Sequence, residues 1–206
     1  MGGHSDGPAT GRGQAHTLEA VVASLLLLAS VAFALQMTAV TPLSASTSNQ
    51  HIENQQAATA DGVLAAAAES GALRRAVLFA DAEGDFRQTG MDGYYTNSPP
   101  PNRFGAMLDR AFGDRGIVYN VFVKYQTGDG LVKRKRMLYQ GVPSDNAATA
   151  SKTVTLVDDD VLFGDPDGDG VAEPTATGVS DASLYRDAAT GGLYNVVEVE
   201  VVVWRM

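Results

Sequence analysis

The chain has 206 residues, 45% of them hydrophobic, and a formal net charge of −9. That is enough apolar material for one core plus a further segment, and the acidic balance argues against nucleic acid as a partner, since phosphate binding requires a clustered basic surface. With no cysteine there is no disulfide, thiol catalysis or thiolate metal site, and the histidines, His4, His16 and His51, all fall in the first quarter of the chain, so a later domain has no histidine chemistry. The excess of 24 Asp+Glu over 15 Lys+Arg also suits a halophilic protein made for a high-salt medium.

Residues 1–13 are glycine-rich and polar, which predicts a disordered leader. From Ala20 to Val40 no residue is charged, and Val21, Val22, Leu25 to Leu28, Val31, Phe33 and Leu35 occupy the whole circumference of a helix. At ~1.5 Å per residue the run covers about 31 Å, close to the hydrocarbon thickness of a bilayer. A helix apolar on every side has no face for water, so residues 14–41 read as a transmembrane helix in contact with membrane lipid. Arg12 precedes the span and the next basic residue is Arg74. The positive-inside tendency then predicts a single-pass protein of the cell membrane, N-terminus cytoplasmic and C-terminal domain extracellular.

Three kinds of N-terminal signal fit this segment. One is a plain signal anchor. Another is a cleaved secretory signal, with Ala32-Phe33-Ala34 as an A-x-A site after the apolar core Val21–Val31. The third is a signal cut ahead of the span, and it alone has a use for Glu19, because a carboxylate at the edge of a membrane helix is costly unless it finds a partner. The run Arg12-Gly13-Gln14-Ala15-His16-Thr17-Leu18-Glu19, followed by apolar residues, resembles the class III signal peptide of archaeal type IV pilins and pseudopilins, including haloarchaeal pilin-like membrane proteins. The resemblance implies processing by a prepilin peptidase at a basic–glycine junction, at Gly13 or Gln14. It also implies that the helix is retained and packs among homologous pilin-like subunits, with Glu19 as the assembly residue. That family carries its Glu at the fifth mature position; Glu19 is fifth if the cut follows Gln14 and sixth if it follows Gly13.

Beyond the span, Pro42 is expected to end or kink the helix. Val63, Leu64, Ala67, Ala68, Leu73, Val77 and Leu78 then recur near helical spacing, so residues 42–80 read as a helical stalk with a second break near Gly71. Residues 81–206 read as the extracytoplasmic sheet domain. It opens with a loop from Asp81 to Asn102, where Gly84, Gly90, Gly93 and Pro99 to Pro101 forbid long regular structure. In that loop Tyr94-Tyr95 is either a binding surface or a tack holding the loop down. A short amphipathic helix follows over Arg103–Phe112, with Phe104, Met107, Leu108 and Ala111 on one face and Gly113 as its cap.

Strand signals fill the rest. Ile117–Tyr125 alternates Ile117, Tyr119, Val121, Val123 and Tyr125, a turn at Thr127-Gly128-Asp129-Gly130 follows, and Leu131–Tyr139 returns as a hairpin. Lys152–Leu162 is the third predicted strand. Leu193–Trp204 is the longest, with Val197, Val199, Val201 and Val203 on one face and Glu198, Glu200 and Trp204 on the other, a pattern suited to a central position. The expected fold class is α+β: a long N-terminal helix, then an antiparallel sheet domain with a short helix.

Two local motifs carry chemistry. Asp165-Pro166-Asp167-Gly168-Asp169-Gly170 places carboxylates at alternating positions before a glycine, as in the first half of a Ca²⁺ loop. Glu173 falls at the ninth position, where a ligand acts through water, and Ala176 stands at the twelfth, where a bidentate Glu belongs. A weak Ca²⁺ site formed by Asp165, Asp167, Asp169 and Glu173 competes with a solvated acidic hairpin loop. Asp158-Asp159-Asp160 reads as a strand end facing solvent. Lys133-Arg134-Lys135-Arg136 is the basic cluster, with about two side chains on each face of a strand. It either recognises an acidic neighbour or anionic polymer, or guards an edge strand by charge. No nucleophile elbow, phosphate loop, His-Glu-x-x-His or dinucleotide fingerprint is present, and an enzyme is not expected. The reading that follows is a pilin-like structural subunit; the alternative is a single-pass surface protein whose sheet domain binds a partner, with or without Ca²⁺ and no other cofactor.

Overall fold

The computed structural model describes residue 2, residues 10–185 and residues 191–205, and the side chains of these except 10–15, 37–49 and 114. The chain forms two units, Met1–Gln50 and His51–Met206. Helix α1 runs over Thr10–Glu69. It begins inside the segment that composition reads as a disordered leader, residues 3–9 of which lie outside the described residues. Adding turns to an existing helix costs little compared with nucleating one, so the apolar run can extend α1 back over Thr10–Gly13. Helix α1 does not end at Pro42: it is helical on both sides of it, although proline removes one ladder hydrogen bond. The break at Gly71 is present, because Gly71 adopts φ 69° and donates to the carbonyl of Ala68. Helix α2 (Ala72–Val77) restarts from there.

In the second unit, α3 (Arg103–Phe112) buries Phe104, Gly105, Leu108 and Phe112, and Asn102 caps it by accepting from the Gly105 N–H at 3.1 Å. A Cβ on Gly105 would stand 1.8 Å from the Pro100 carbonyl oxygen, so the proline loop and the helix touch here and only glycine fits. Gly113 is the C-cap, as expected, and its N–H donates to the Asp109 carbonyl. It has helical φ and ψ and opens a 3₁₀ turn, Gly113–Arg115, and the left-handed residue is Gly116 at φ 63°.

The sheet consists of β1 (Ile117–Gln126), β2 (Val132–Leu138), β3 (Ala148–Val157) and β6 (Leu193–Arg205), all antiparallel, in the order β2-β1-β6-β3. The third predicted strand is two. A bulge at Leu156/Val157 and a turn at Asp158–Asp159 end β3, and the continuation, β4 (Val161–Gly164), leaves the sheet to pair with β5 (Glu173–Gly178) as a separate hairpin. Asp160 makes the corner. Its carboxylate accepts from Arg74 on α2 at 2.5 and 2.6 Å and from the Val157 N–H at 2.8 Å. The hairpin is tied back by Phe163 N–H to the Leu78 carbonyl, 2.8 Å.

One face of the sheet is covered. Val197, Val199, Val201 and Val203 are fully buried, together with Tyr119, Val121 and Val123, against Ala60, Leu64 and Ala67 of α1, Leu73 and Val77 of α2, and Phe104, Leu108 and Phe112 of α3. At ~1.5–3 kcal/mol for each fully buried large apolar side chain, this layer is the main source of stability. Burial of Tyr119, with Asp109 nearby, pushes its hydroxyl up to about 12.

The opposite face carries a small cluster, Phe122, Val202 and Trp204, and an ion network. Lys124 lies between Glu198, at 3.0 Å, and Glu200, and Arg134 reaches Glu200 at 2.5 Å while lying 3.3 Å over the Phe122 ring. The hydrogen bond with Glu200, then that with Glu198, raises Lys124 above its ordinary range. Burial pushes Glu200 upward, but hydrogen bonds from Lys124 and Arg134 outweigh it and hold the carboxyl below its usual value. A carboxylate with a lowered folded-state pKa stabilises above the normal carboxylate range and loses that contribution as pH falls through it. Glu200→Gln is therefore expected to lower the stability of the detergent-solubilised full chain by about 1 kcal/mol at neutral pH, a modest figure because Lys124 and Arg134 are partly exposed. In denaturant titrations the gap from the native chain should narrow as pH falls below the ordinary carboxylate range; a gap that does not change with pH would count against the network.

Candidate functional site

The β4–β5 connection holds the acidic motif, Asp165 to Gly170. Gly168 and Gly170 adopt φ 75° and 79°, conformations that few other residues tolerate, so the loop closes tightly on itself. One carboxylate oxygen from each of Asp165, Asp167 and Asp169 lies within 4.8 Å of the others. Asp165 Oδ2 accepts from the Gly170 N–H at 3.2 Å and from Gln88 Nε2 at 3.5 Å, whereas its Oδ1 is buried with no hydrogen-bond partner among the described residues. Asp169 Oδ1 accepts from the Val171 N–H at 2.7 Å. The structure thus brings together three of the four sequence-predicted ligands. Glu173 starts β5 opposite Gly164 and is not among the clustered carboxylates. Asp165 and Glu173 instead share the rim of a groove of about 560 Å³ with Asp81, Asp85 and Arg87. Gathered carboxylates repel one another, and a hard divalent cation is the ion that oxygen ligands of this kind would hold.

A second groove, of about 590 Å³, lies over the basic strand. The alternation of β2 sends Arg134 and Arg136 to the outer face and Lys135 to the other. Lys135 meets Asp85 at 3.3 Å and lies 5.4 Å from the Phe86 ring. Arg136 lies 5.5 Å from the Tyr94 ring and 4.7 Å from the Tyr139 ring. A bulge opposite Val121/Phe122 shifts the register, so that Phe122 faces Arg136 while Val121 faces Leu138. That shift is what brings Arg136 and Tyr139, three residues apart, within reach of each other. Strict alternation puts them on opposite faces, and only knowledge of the bulge would have revealed the pair. Tyr95 tacks the long loop down: its N–H donates to the Met137 carbonyl and its carbonyl accepts from the Tyr139 N–H, both at 2.9 Å. Burial raises its hydroxyl well above the usual range.

The first unit contributes the third feature. His16–Gln36 is helical, long and apolar enough to cross a membrane, and exposed throughout. Glu19, at its N-terminal edge, lies 3.7 Å from His16 Nδ1, one turn earlier, with both side chains exposed. Gly13 and Gln14 are within α1, but their side chains lie outside those described.

The molecule is thus an α+β sheet domain on a chain that also carries one membrane-length apolar helix among the described residues. It belongs to a family of unknown function (DUF7288), whose pattern matches residues 12–203, from the arginine ahead of the span into β6. Comparison with curated proteins and with solved structures gives no match.

The orphaned Asp165 oxygen defines a direct test of the acidic loop. Addition of Ca²⁺ at about a hundred times its dissociation constant should stabilise the full chain by ~2.7 kcal/mol if the loop binds the ion in the folded state alone. Asp167→Asn should remove most of that increment. A thermal midpoint indifferent to millimolar Ca²⁺ would leave the loop as a solvated acidic turn.

Proposed function

We propose that this chain is a membrane-anchored, pilin-like structural subunit rather than an enzyme. The N-terminal helix is retained in the membrane, the sheet domain is displayed outside the cell, and assembly proceeds through contacts between equivalent helices. The observation that carries this reading is Glu19, a carboxylate at the edge of an apolar span His16–Gln36 that is uniformly exposed. An unpaired carboxylate in hydrocarbon costs several kcal/mol, so a helix packed in an assembly with Glu19 buried needs a partner cation, and the N-terminal amine of a neighbouring processed subunit would provide it. That pairing would set the axial register between subunits. Processing falls to a prepilin peptidase acting after Gly13 or Gln14.

A second reading, a surface protein whose sheet domain binds a partner with Ca²⁺ as a structural ion, draws its support from Asp165 Oδ1 and the three gathered carboxylates. It requires neither processing nor helix-driven assembly, so the two readings separate on the N-terminal segment.

Glu19→Ala should reach the membrane as the native chain does but fail to co-purify in the assembled fraction. Normal incorporation of that variant would refute the assembly role. Gly13→Val should block processing, seen by mass spectrometry as an intact N-terminus where the native chain starts at Gln14 or Ala15. An N-terminus that is intact in the native chain would favour the binding-module reading, and one at Leu35 a secreted domain.

A further inference from the structure

The two edges of the four-stranded sheet are built differently. The outer side of β2 is guarded. Four consecutive basic residues, Lys133 to Arg136, occupy it, and the loop strand at Tyr95 pairs with its end at Leu138. Charge and cover are the usual means of keeping an edge from pairing with another chain. The opposite edge, β3, is uncovered and carries a single charge where β2 carries four. Over Ala148–Val157 it carries one charged residue, Lys152, no proline, and no bulge before Leu156. Among the described residues the backbone of Ala148–Leu156 forms hydrogen bonds with β6 alone, so the alternate N–H and C=O groups that point away from β6 meet no protein partner. Its outward face is a run of short hydroxyl side chains, Thr149, Ser151, Thr153 and Thr155, all exposed.

We propose that β3 is a dimerisation edge, where two copies of this chain pair β3 with β3, antiparallel, about a two-fold axis perpendicular to the sheet. This stands independently of the pilin-like reading. A second copy is the occupant because the strand complements itself. Such an axis keeps each face on its own side, so hydroxyl residues meet hydroxyl residues and Val154 and Leu156 continue the covered face. Cross-strand Thr–Thr and Thr–Ser pairs contribute favourably, and like charges directly opposite do not. A register centred on Lys152 would set that ammonium against its own copy. Centring on Thr153 avoids this, places Thr153 opposite itself and Ser151 opposite Thr155, and engages most of the strand. Pairing β3 of one copy with β2 of the next would propagate an open fibre, and the basic run with the Tyr95 bridge opposes it, which leaves the closed two-fold pair.

The native chain lacks cysteine, so single cysteines report position without background. Thr153→Cys and, as a control on the guarded edge, Lys133→Cys would be introduced into the full chain, extracted in mild detergent and mildly oxidised. The expected result is a covalent dimer for Thr153→Cys and none for Lys133→Cys. Thr153→Glu, which sets a carboxylate against its own copy, should lose the dimer in light scattering while retaining the native far-ultraviolet spectrum and melting cooperatively. Failure of Thr153→Cys to cross-link, a cross-link through Lys133→Cys instead, or an unchanged dimer in Thr153→Glu would each overturn the proposal. Association through the N-terminal helix alone would produce oligomers without the Thr153 cross-link, so failure here and failure of the pilin-like reading remain distinguishable.

Discussion

Val197, Val199, Val201 and Val203 lie on one face of a strand that is flanked by neighbours on both sides, so their burial has to come from a layer above the sheet. That layer is assembled from three helical pieces that precede the sheet in sequence: the end of α1, α2 and α3. The breaks between the pieces are as necessary as the pieces. Gly71 turns the chain from α1 into α2, and Gly105 lets α3 approach the proline loop to a distance no other residue permits. A continuous helix could not place Leu64, Val77 and Leu108 over the same stripe of valines.

The outer face follows a different rule. With no helical layer over it among the described residues, its charged side chains neutralise one another across neighbouring strands. Glu200 serves both Lys124 and Arg134, and Arg134 also covers the Phe122 ring. Such partly exposed pairs contribute little individually, and they fit a register that the buried face and the hairpin turn set for β2, β1 and β6. The contrast between the edges follows from the same pattern: β2 carries cations of this network, and β3 carries hydroxyls in their place.

Much of this was legible in the sequence because it is periodic. The alternation in residues 117–125 and 193–204, the hairpin turn at Thr127–Gly130 and the apolar face of α3 each recur at a fixed spacing, and the structure has them where the spacing puts them. What escaped is aperiodic. Neither bulge leaves a compositional trace, so the departure of β4 from the sheet and the meeting of Arg136 with Tyr139 were hidden. Asp160 read as solvent-facing because the run Asp158-Asp159-Asp160 looks uniform, yet its partner, Arg74, is supplied by a helix distant in sequence. In the acidic loop the glycine spacing disclosed the turn and the three gathered aspartates. Glu173 stands outside that group of three, because the residues after Gly170 pair as a strand, with Glu173 opposite Gly164.

The N-terminal segment poses an energetic question that local contacts do not answer. Glu19 has a neighbour in His16, but an exposed pair spaced three residues apart on a helix contributes only about 0.2–0.5 kcal/mol, even with the imidazole protonated. The cost of a carboxylate in the hydrocarbon layer is several-fold greater. If the span were only an anchor, sliding outward by a turn would return Glu19 to water with little loss of apolar contact, and nothing would hold the acid at the membrane edge. A carboxylate becomes useful at that position when a cation from another chain meets it there. On the proposed reading, the weak intrahelical pair leaves Glu19 to a cation supplied by a neighbouring chain.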